Sequence, residues 1–283
     1  MLSSNVARQM DGNVGPAAST LVLPDAEIRQ FPLCDCLLPA TSRRSILLEA
    51  RSTLIPNLPT TCPRMLDVLY EDNHLLAVNK PAMLPTMGVA PDEPSLLKAA
   101  KDYIRRKYAK PGEVYLGIVS RLDAPVTGVV LVARTSKAAA RLTEMFRERD
   151  VEKTYWALVE GRVEPATGTL VHYLRKDERH RKVLVTTASG AGAQRAELNY
   201  RTLKSVKGNT LLEIELLTGR KHQIRVQLAD AGWPVVGDRK YGSRRTFPSG
   251  IALHSRRLAF EHPVKKSPLE IEAPLPKAWE TFL

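Results

Sequence analysis

Residues 118–133, IVSRLDAPVTGVVLVA, place a single carboxylate, Asp123, two residues after Arg121 and just ahead of the apolar run Val129–Ala133. A short, β-branched run of that kind reads as a buried strand, so Asp123 stands at its mouth. An acid there can cap a turn, pair with Arg121 or act as a nucleophile. Tyr155 lies in another apolar segment, KTYWALVEG (153–161), and by itself reads as a core tyrosine with a satisfied hydroxyl. Arg220 follows Thr218-Gly219 where a helical pattern begins. A cation at a helix N-terminus opposes the macrodipole, so a carboxylate or a phosphate should hold it there. His222, Gln223 and Arg225 crowd the same turn and otherwise read as a solvated first turn.

Other chemistries find little support. There is no GxxxxGK[ST], GxSxG or HExxH, and 190-GAGAQR-195 lacks the third glycine of a dinucleotide loop. The three cysteines, Cys34, Cys36 and Cys62, form no CxxC pair, and the six histidines show no HxxxH spacing. We expect no disulfide framework, no metal and a reducing, cytoplasmic setting. No apolar run approaches the ~20 residues of a membrane helix. The net charge of +12 is unevenly spread: residues 1–64 hold six arginines, no lysine and five acids, so +11 belongs to the remainder. A compact domain that basic implies a polyanionic partner such as nucleic acid.

The elements that must position these residues begin at Met65. Residues 1–64 lack sustained periodicity and are expected to be a poorly ordered extension, either an appendage or sequence upstream of the true start; a native N-terminal mass would decide between them. From 65 to 283 we expect one domain. Short strands are expected around the turn Glu71-Asp72-Asn73, at 128–134, 153–161, 196–203, 210–219, 252–260 and 269–271. Helices are expected after Ser95, after Ser136 and over 220–232, with Ser95 and Ser136 as caps and Gly232 past the third helix. The segment 172-HYLRKDERHRK-182 is too charged for a core and reads as an exposed basic loop or hairpin. Strands outnumber helices and connections are short, which predicts an α+β fold with a mixed, mainly antiparallel central sheet and flanking helices.

Taken in order, these pieces resemble the RluA-type RNA pseudouridine synthases. The family's HRLD-x-x-T-S-G block stands here as Ser120 to Gly128, its K-x-Y-x-A-L-V-x-G block as Lys153 to Gly161, and its T-G-R-x-H-Q-I-R block as Thr218 to Arg225, running on through Gly237-Asp238 to Tyr241-Gly242. Glu71-Asp72 to Lys80-Pro81 leads, and Leu253-His254 and His262-Pro263 trail. Ser120 replaces the usual histidine, Val126-Thr127 the usual Thr-Ser, and Met83 a common glycine. The resemblance implies the pseudouridine synthase catalytic fold and a cofactor-free isomerisation of uridine in ribosomal or transfer RNA. It places the family's aspartate on Asp123, its tyrosine on Tyr155 and its arginine on Arg220, and gives Arg121 a part in displacing the target base.

Such a reaction asks for these groups. The glycosidic bond must break, the uracil turn, and C5 bond to C1′; a carboxylate can trap or stabilise the cationic sugar or assist glycal formation. An arginine beside the acid opposes the cost of burying its charge, and Arg220 is expected to be that partner. Tyr155 is expected to stack on the uracil and to lie near the C5 proton. RNA contacts are expected from Arg121, His222, Gln223 and Arg225 and from Arg175, Lys176 and Arg179 of the basic segment, with Lys204, Lys207 and residues 239–245 adding charge. The small helical RNA-binding domain of several relatives is expected to be absent, and the protein to act as a monomer away from membranes. The alternatives are a non-catalytic RNA-binding or ribosome-assembly protein on the same scaffold, and a glycosidase, which would need a second carboxylate, Asp238 being the nearest candidate.

Overall fold

The computed structural model describes residues 66–283; the expected extension over 1–64 lies outside the described residues. Strand β1 (Val68–Glu71) turns at Asp72, whose carboxylate accepts the backbone N–H groups of His74 and Leu75, and pairs with β2 (Leu75–Lys80). The side chain of Ser95 caps α1 (Leu96–Lys107) by accepting the Lys98 N–H. The short β3 (Gly117–Ile118) lies beside β4 (Thr127–Ala133). Helix α2 (Ser136–Glu148) is capped by Thr135, one residue before the serine that the sequence suggested, because the Thr135 hydroxyl rather than that of Ser136 accepts the Ala138 N–H.

All seven residues of β4 are buried. Its alternation explains why: Val129 and Leu131 join Leu75 and Ala77 on one face under Ala138 and Leu142 of α2, while Val130 and Val132 join Leu76 and Val78 on the other under Leu96, Ala100 and Ile104 of α1. A strand covered on both faces is apolar throughout rather than alternating.

The rest of the sheet is built from β5 (Glu152–Glu160), β6 (Thr167–Asp177), β7 (Lys182–Thr186), β8 (Gln194–Val206), β9 (Asn209–Leu216), β10 (Leu253–Glu261) and β11 (Pro268–Glu272). Helix α3 (Gln223–Asp230) starts three residues later than the sequence pattern suggests, and buries nearly its whole circumference. The strand order is β1-β2-β4-β10-β5-β9-β8-β6-β7, with β11 against β10 and β3 against β4. The basic segment forms the β6–β7 hairpin at one edge, closed from Tyr173↔Thr186 to Asp177↔Lys182. The result is the expected α+β architecture, antiparallel except where β4 meets β10.

That parallel contact, His254↔Thr127 and Ser255↔Gly128, joins the two halves of the sheet directly after the Asp123 turn. Gly128 has φ +111°, and a Cβ there would overlap the Ser255 carbonyl and stand 2.7 Å from its nitrogen. Beside it, Thr127 Oγ1 lies 2.8 Å from His254 Nδ1, and His254 Nε2 lies 3.2 Å from the Ala273 carbonyl. Burial pushes the His254 pKa down to about 4, so the ring is neutral, donating to Ala273 and accepting from Thr127. The Thr-Gly pair thus lets two backbones approach closely and ties them by a buried hydrogen bond. Gly128→Ala should destabilise the protein by about 1–3 kcal/mol or more, from the forbidden φ and the backbone overlap together, read as a lowered urea midpoint at unchanged m-value.

Candidate active site

Asp123 lies in a tight turn, Val126 N–H returning to the Asp123 carbonyl at 3.0 Å. Three side chains brace that turn. Ser120 Oγ accepts the Leu131 N–H at 2.8 Å, tying the approach segment to β4; this is the role taken by the serine that departs from the family block. Thr86 Oγ1 donates to the Leu122 carbonyl and accepts the Leu122 N–H. Lys80 closes β2 with a fully buried side chain, and its ammonium donates to the carbonyls of Pro81, Leu84 and Ala124 at 2.8, 2.9 and 3.0 Å. Burial lowers its pKa to about 8, partly opposed by the charge of Asp123.

The guanidinium facing Asp123 belongs to Arg225, not to Arg220. Arg225 Nη1 donates to Asp123 Oδ2 at 2.8 Å, while Nε and Nη2 donate to the two oxygens of Asp238 at 2.6 and 2.9 Å. Arg225 projects from the first turn of α3 and its side chain is 6% exposed; that of Asp238 is 1% exposed and that of Asp123 is 26% exposed. One fork therefore holds one acid in the core and presents the other to the cleft. Burial alone would discourage the Arg225 charge, but the hydrogen bonds and charges of Asp238 and Asp123 more than offset it and leave the group more firmly protonated than in water. Arg220 precedes the helix, is exposed, and donates Nε to the Arg195 carbonyl.

The same turn decides where Gln223, His222 and Arg225 lie. Gln223 is buried and its carbonyl accepts from Thr218 Oγ1 and Arg220 N, while its amide donates to the Glu197 carbonyl, so it shapes the turn from inside rather than offering a contact to RNA. His222 and Arg225 likewise point at Asp123, with His222 Nε2 3.7 Å from Oδ2. The third helix begins too late for residues 220–222 to be its first turn, and this rotates the whole set by several residues.

Asp123, Arg121, Tyr155, Arg220 and Lys176 line one cleft of about 870 Å³, together with Arg147, Arg149, Lys153 and Lys221. Asp123 is the only acid among the described residues lining it. Arg121, Arg149, Lys153, Lys176, Arg220 and Lys221 have no ion-pair partner among the described residues. Tyr155, on β5 opposite Ser255, is pushed up to about 12 by burial first and by the Asp123 charge besides, so its phenol is neutral. A second hollow of about 410 Å³ continues along the hairpin between Arg175, Lys176, Arg220 and Lys221. Arg179 is exposed on the hairpin turn and lines neither. Sequence reasoning missed Lys80, Tyr241 and the part Asp238 plays in anchoring Arg225. A lysine ending an otherwise apolar strand was a signal for Lys80; the Arg225–Asp238 pair had no local one.

A single acid backed by arginine, a neutral tyrosine and a cationic rim form a site able to ionise a sugar rather than to hydrolyse one with paired carboxylates. Residues 74–230 match the family model described as RNA pseudouridylate synthase. The chain belongs to that family. Curated relatives agree: it is 35% identical over 227 residues to ribosomal large subunit pseudouridine synthase D of Xylella fastidiosa, covering 75% of this chain and 66% of that one. It is 34% identical to the uncharacterized RNA pseudouridine synthase YlyB of Bacillus subtilis, covering 76% and 71%. The solved human RNA pseudouridylate synthase domain containing 4 is 25% identical and superposes with a TM-score of 0.63 over 76% of this chain and 92% of that one. Among the described residues, no helix is long and apolar enough to cross a membrane.

Two substitutions separate the arginines of this synthase. Arg225→Met strands Asp238 without a partner and should cost about 3–5 kcal/mol, whereas exposed Arg220→Met should stay within about 0.5 kcal/mol, both read by chemical denaturation. Lys80→Met leaves three carbonyls without a donor and should cost about 1–3 kcal/mol for each that water does not reach, measured in the same way.

Proposed function

We propose that this chain isomerises specific uridines in structured RNA to pseudouridine without a cofactor, receiving the extruded nucleotide in the cleft above Asp123. The observation that carries this reading is the lone carboxylate, held by a guanidinium that is itself anchored to a buried second acid, on the floor of a cationic cleft. In the reaction the N1–C1′ bond breaks and positive charge builds on the ribose. The Asp123 carboxylate traps or stabilises that charge, by direct bonding or through a glycal. The uracil turns, C5 bonds to C1′, the C5 proton leaves and N1 gains one, so atoms balance with no external reagent. Arg225 holds the acid in a fixed place, a preorganised group where charge develops. Tyr155, its phenol neutral, offers a ring face to the uracil and a hydroxyl near it. Arg121, exposed at the cleft edge, fills the space the base vacates, offsetting an unstacking cost of a few kcal/mol.

The unpaired cations of the rim and of the hairpin meet phosphates. The relatives named for the ribosomal large subunit favour large-subunit ribosomal RNA as the target, handled by a cytoplasmic monomer. A glycosidase reading loses its second acid, because Asp238 is sealed against Arg225.

Asp123→Asn should bind RNA with wild-type affinity and form no pseudouridine; a wild-type protein that binds RNA but yields no product would favour the non-catalytic alternative, and release of free base would favour a glycosidase. Lys176→Gln and Arg220→Gln should each weaken binding across all sequences and flatten the plot of log K against log salt by about 0.7 for each phosphate no longer neutralised, measured by filter binding from low to moderate salt.

A further inference from the structure

Tyr241 joins the basic hairpin to the catalytic carboxylate. Its hydroxyl accepts the Val183 N–H of β7 at 3.0 Å and lies 2.7 Å from His222 Nδ1. Its ring meets the imidazole edge-on, centroids 5.7 Å apart, and lies 5.0 Å from the Arg225 guanidinium. The other imidazole nitrogen, Nε2, faces Asp123 Oδ2 at 3.7 Å. His222 takes up this position in the left-handed region, φ 53°, which non-glycine residues occupy at a cost.

The tautomer follows from the neighbours. A nitrogen lone pair aimed at a carboxylate oxygen would be repelled, so the proton sits on Nε2 and Nδ1 is an acceptor. The Tyr241 hydroxyl must then donate to Nδ1. The order of donation runs from Val183 to Tyr241 to His222, whose Nε2 lies 3.7 Å from Asp123 Oδ2, an electrostatic contact longer than a hydrogen bond. Oδ2 of Asp123 thereby receives both Arg225 and the His222 dipole, while Oδ1 has no hydrogen-bond partner among the described residues.

We propose that Tyr241 and His222 are positioning residues: Tyr241 selects the His222 tautomer, and the His222 Nε2–H orients the Asp123 carboxylate so that its unpartnered oxygen meets the ribose C1′. Since the Val183 amide belongs to the hairpin that grips RNA, the same chain of donors makes the acid's orientation depend on the hairpin's seat. The groups facing the imidazole are Asp123, Arg225, Tyr241, Lys221 and Lys240, with Asp238 behind Arg225. Burial, together with the charges of Arg225, Lys221 and Lys240, keeps the imidazole below its usual range, opposed by Asp123, and a donor at Nδ1 strengthens that neutrality.

The inference rests on the pseudouridine reading, and one assay separates the two. Single-turnover pseudouridine formation is followed on saturating total RNA from a strain lacking this gene, with RNA affinity and Tm measured beside it. If wild type forms no pseudouridine on that RNA, the functional reading itself fails, and this inference with it. With active wild type, Tyr241→Phe should slow turnover about tenfold at unchanged affinity. Its acid limb should shift to higher pH, because an imidazole without its Nδ1 donor protonates more readily and withdraws charge from Asp123. His222→Asn tolerates the left-handed backbone but cannot reach Asp123, and should be equally slow without the new limb. His222→Gln, whose amide N–H can stand in for Nε2–H, should recover at least a third of the wild-type rate. Wild-type rate and pH profile in Tyr241→Phe, or a His222→Gln as slow as His222→Asn, would overturn the proposal; so would a lowered Tm in all three variants with no shift in any pH profile.

Discussion

The site depends on one guanidinium shared by two acids. Arg225 is bidentate to Asp238, which is sealed in the core, and gives its remaining face to Asp123, which is open to the cleft. A buried ion pair gains little over an apolar core and is costly to break. Here the arrangement makes sense as geometry: the Asp238 end fixes the arginine plane, so the Asp123 end is a charge in a set position. With only Asp123 to hold, the same arginine would be free to turn toward solvent or toward an RNA phosphate.

The fold serves that arrangement by bringing three distant segments to one point. The turn carrying Asp123 is pinned by Lys80, Thr86 and Ser120 and runs directly into the β4–β10 contact, where Gly128 lets two backbones touch. On the other side α3 presents Arg225, and the loop after it supplies Asp238 and Tyr241. The cations left unpaired around the rim are what a polyanion would neutralise. An RNA that docks there brings its own negative charge close to Asp123, which makes the guanidinium behind the acid more necessary once substrate is bound.

Much of the scaffold is legible in the chain. The seven buried residues of β4 show as an unbroken apolar run because both faces are covered, and the cap at Ser95 and the turn at Asp72 follow local rules of spacing. Local rules also mislead. Thr135 and Ser136 are both good caps, and only the approach of the Ala138 amide chooses between them. The polar residues from Arg220 onward suit the first turn of a helix, yet the left-handed His222 rules that out, since such a backbone cannot continue a helix inward.

By itself the sequence determined the family blocks, the α+β class, the excess positive charge and the place of one acid, Asp123, ahead of an apolar strand, because each is carried by residue type, short-range periodicity or ordered motifs. Which arginine meets that acid, what holds the arginine, and which nitrogen of His222 faces the carboxylate were decided only in three dimensions. Asp123 and Arg225 are 102 positions apart and Arg225 and Asp238 are 13 apart, separations at which no helical or strand period relates one side chain to another. Two arginines five residues apart are chemically identical in a string; the start of a helix and the depth of a core send one to the acid and leave the other at the surface.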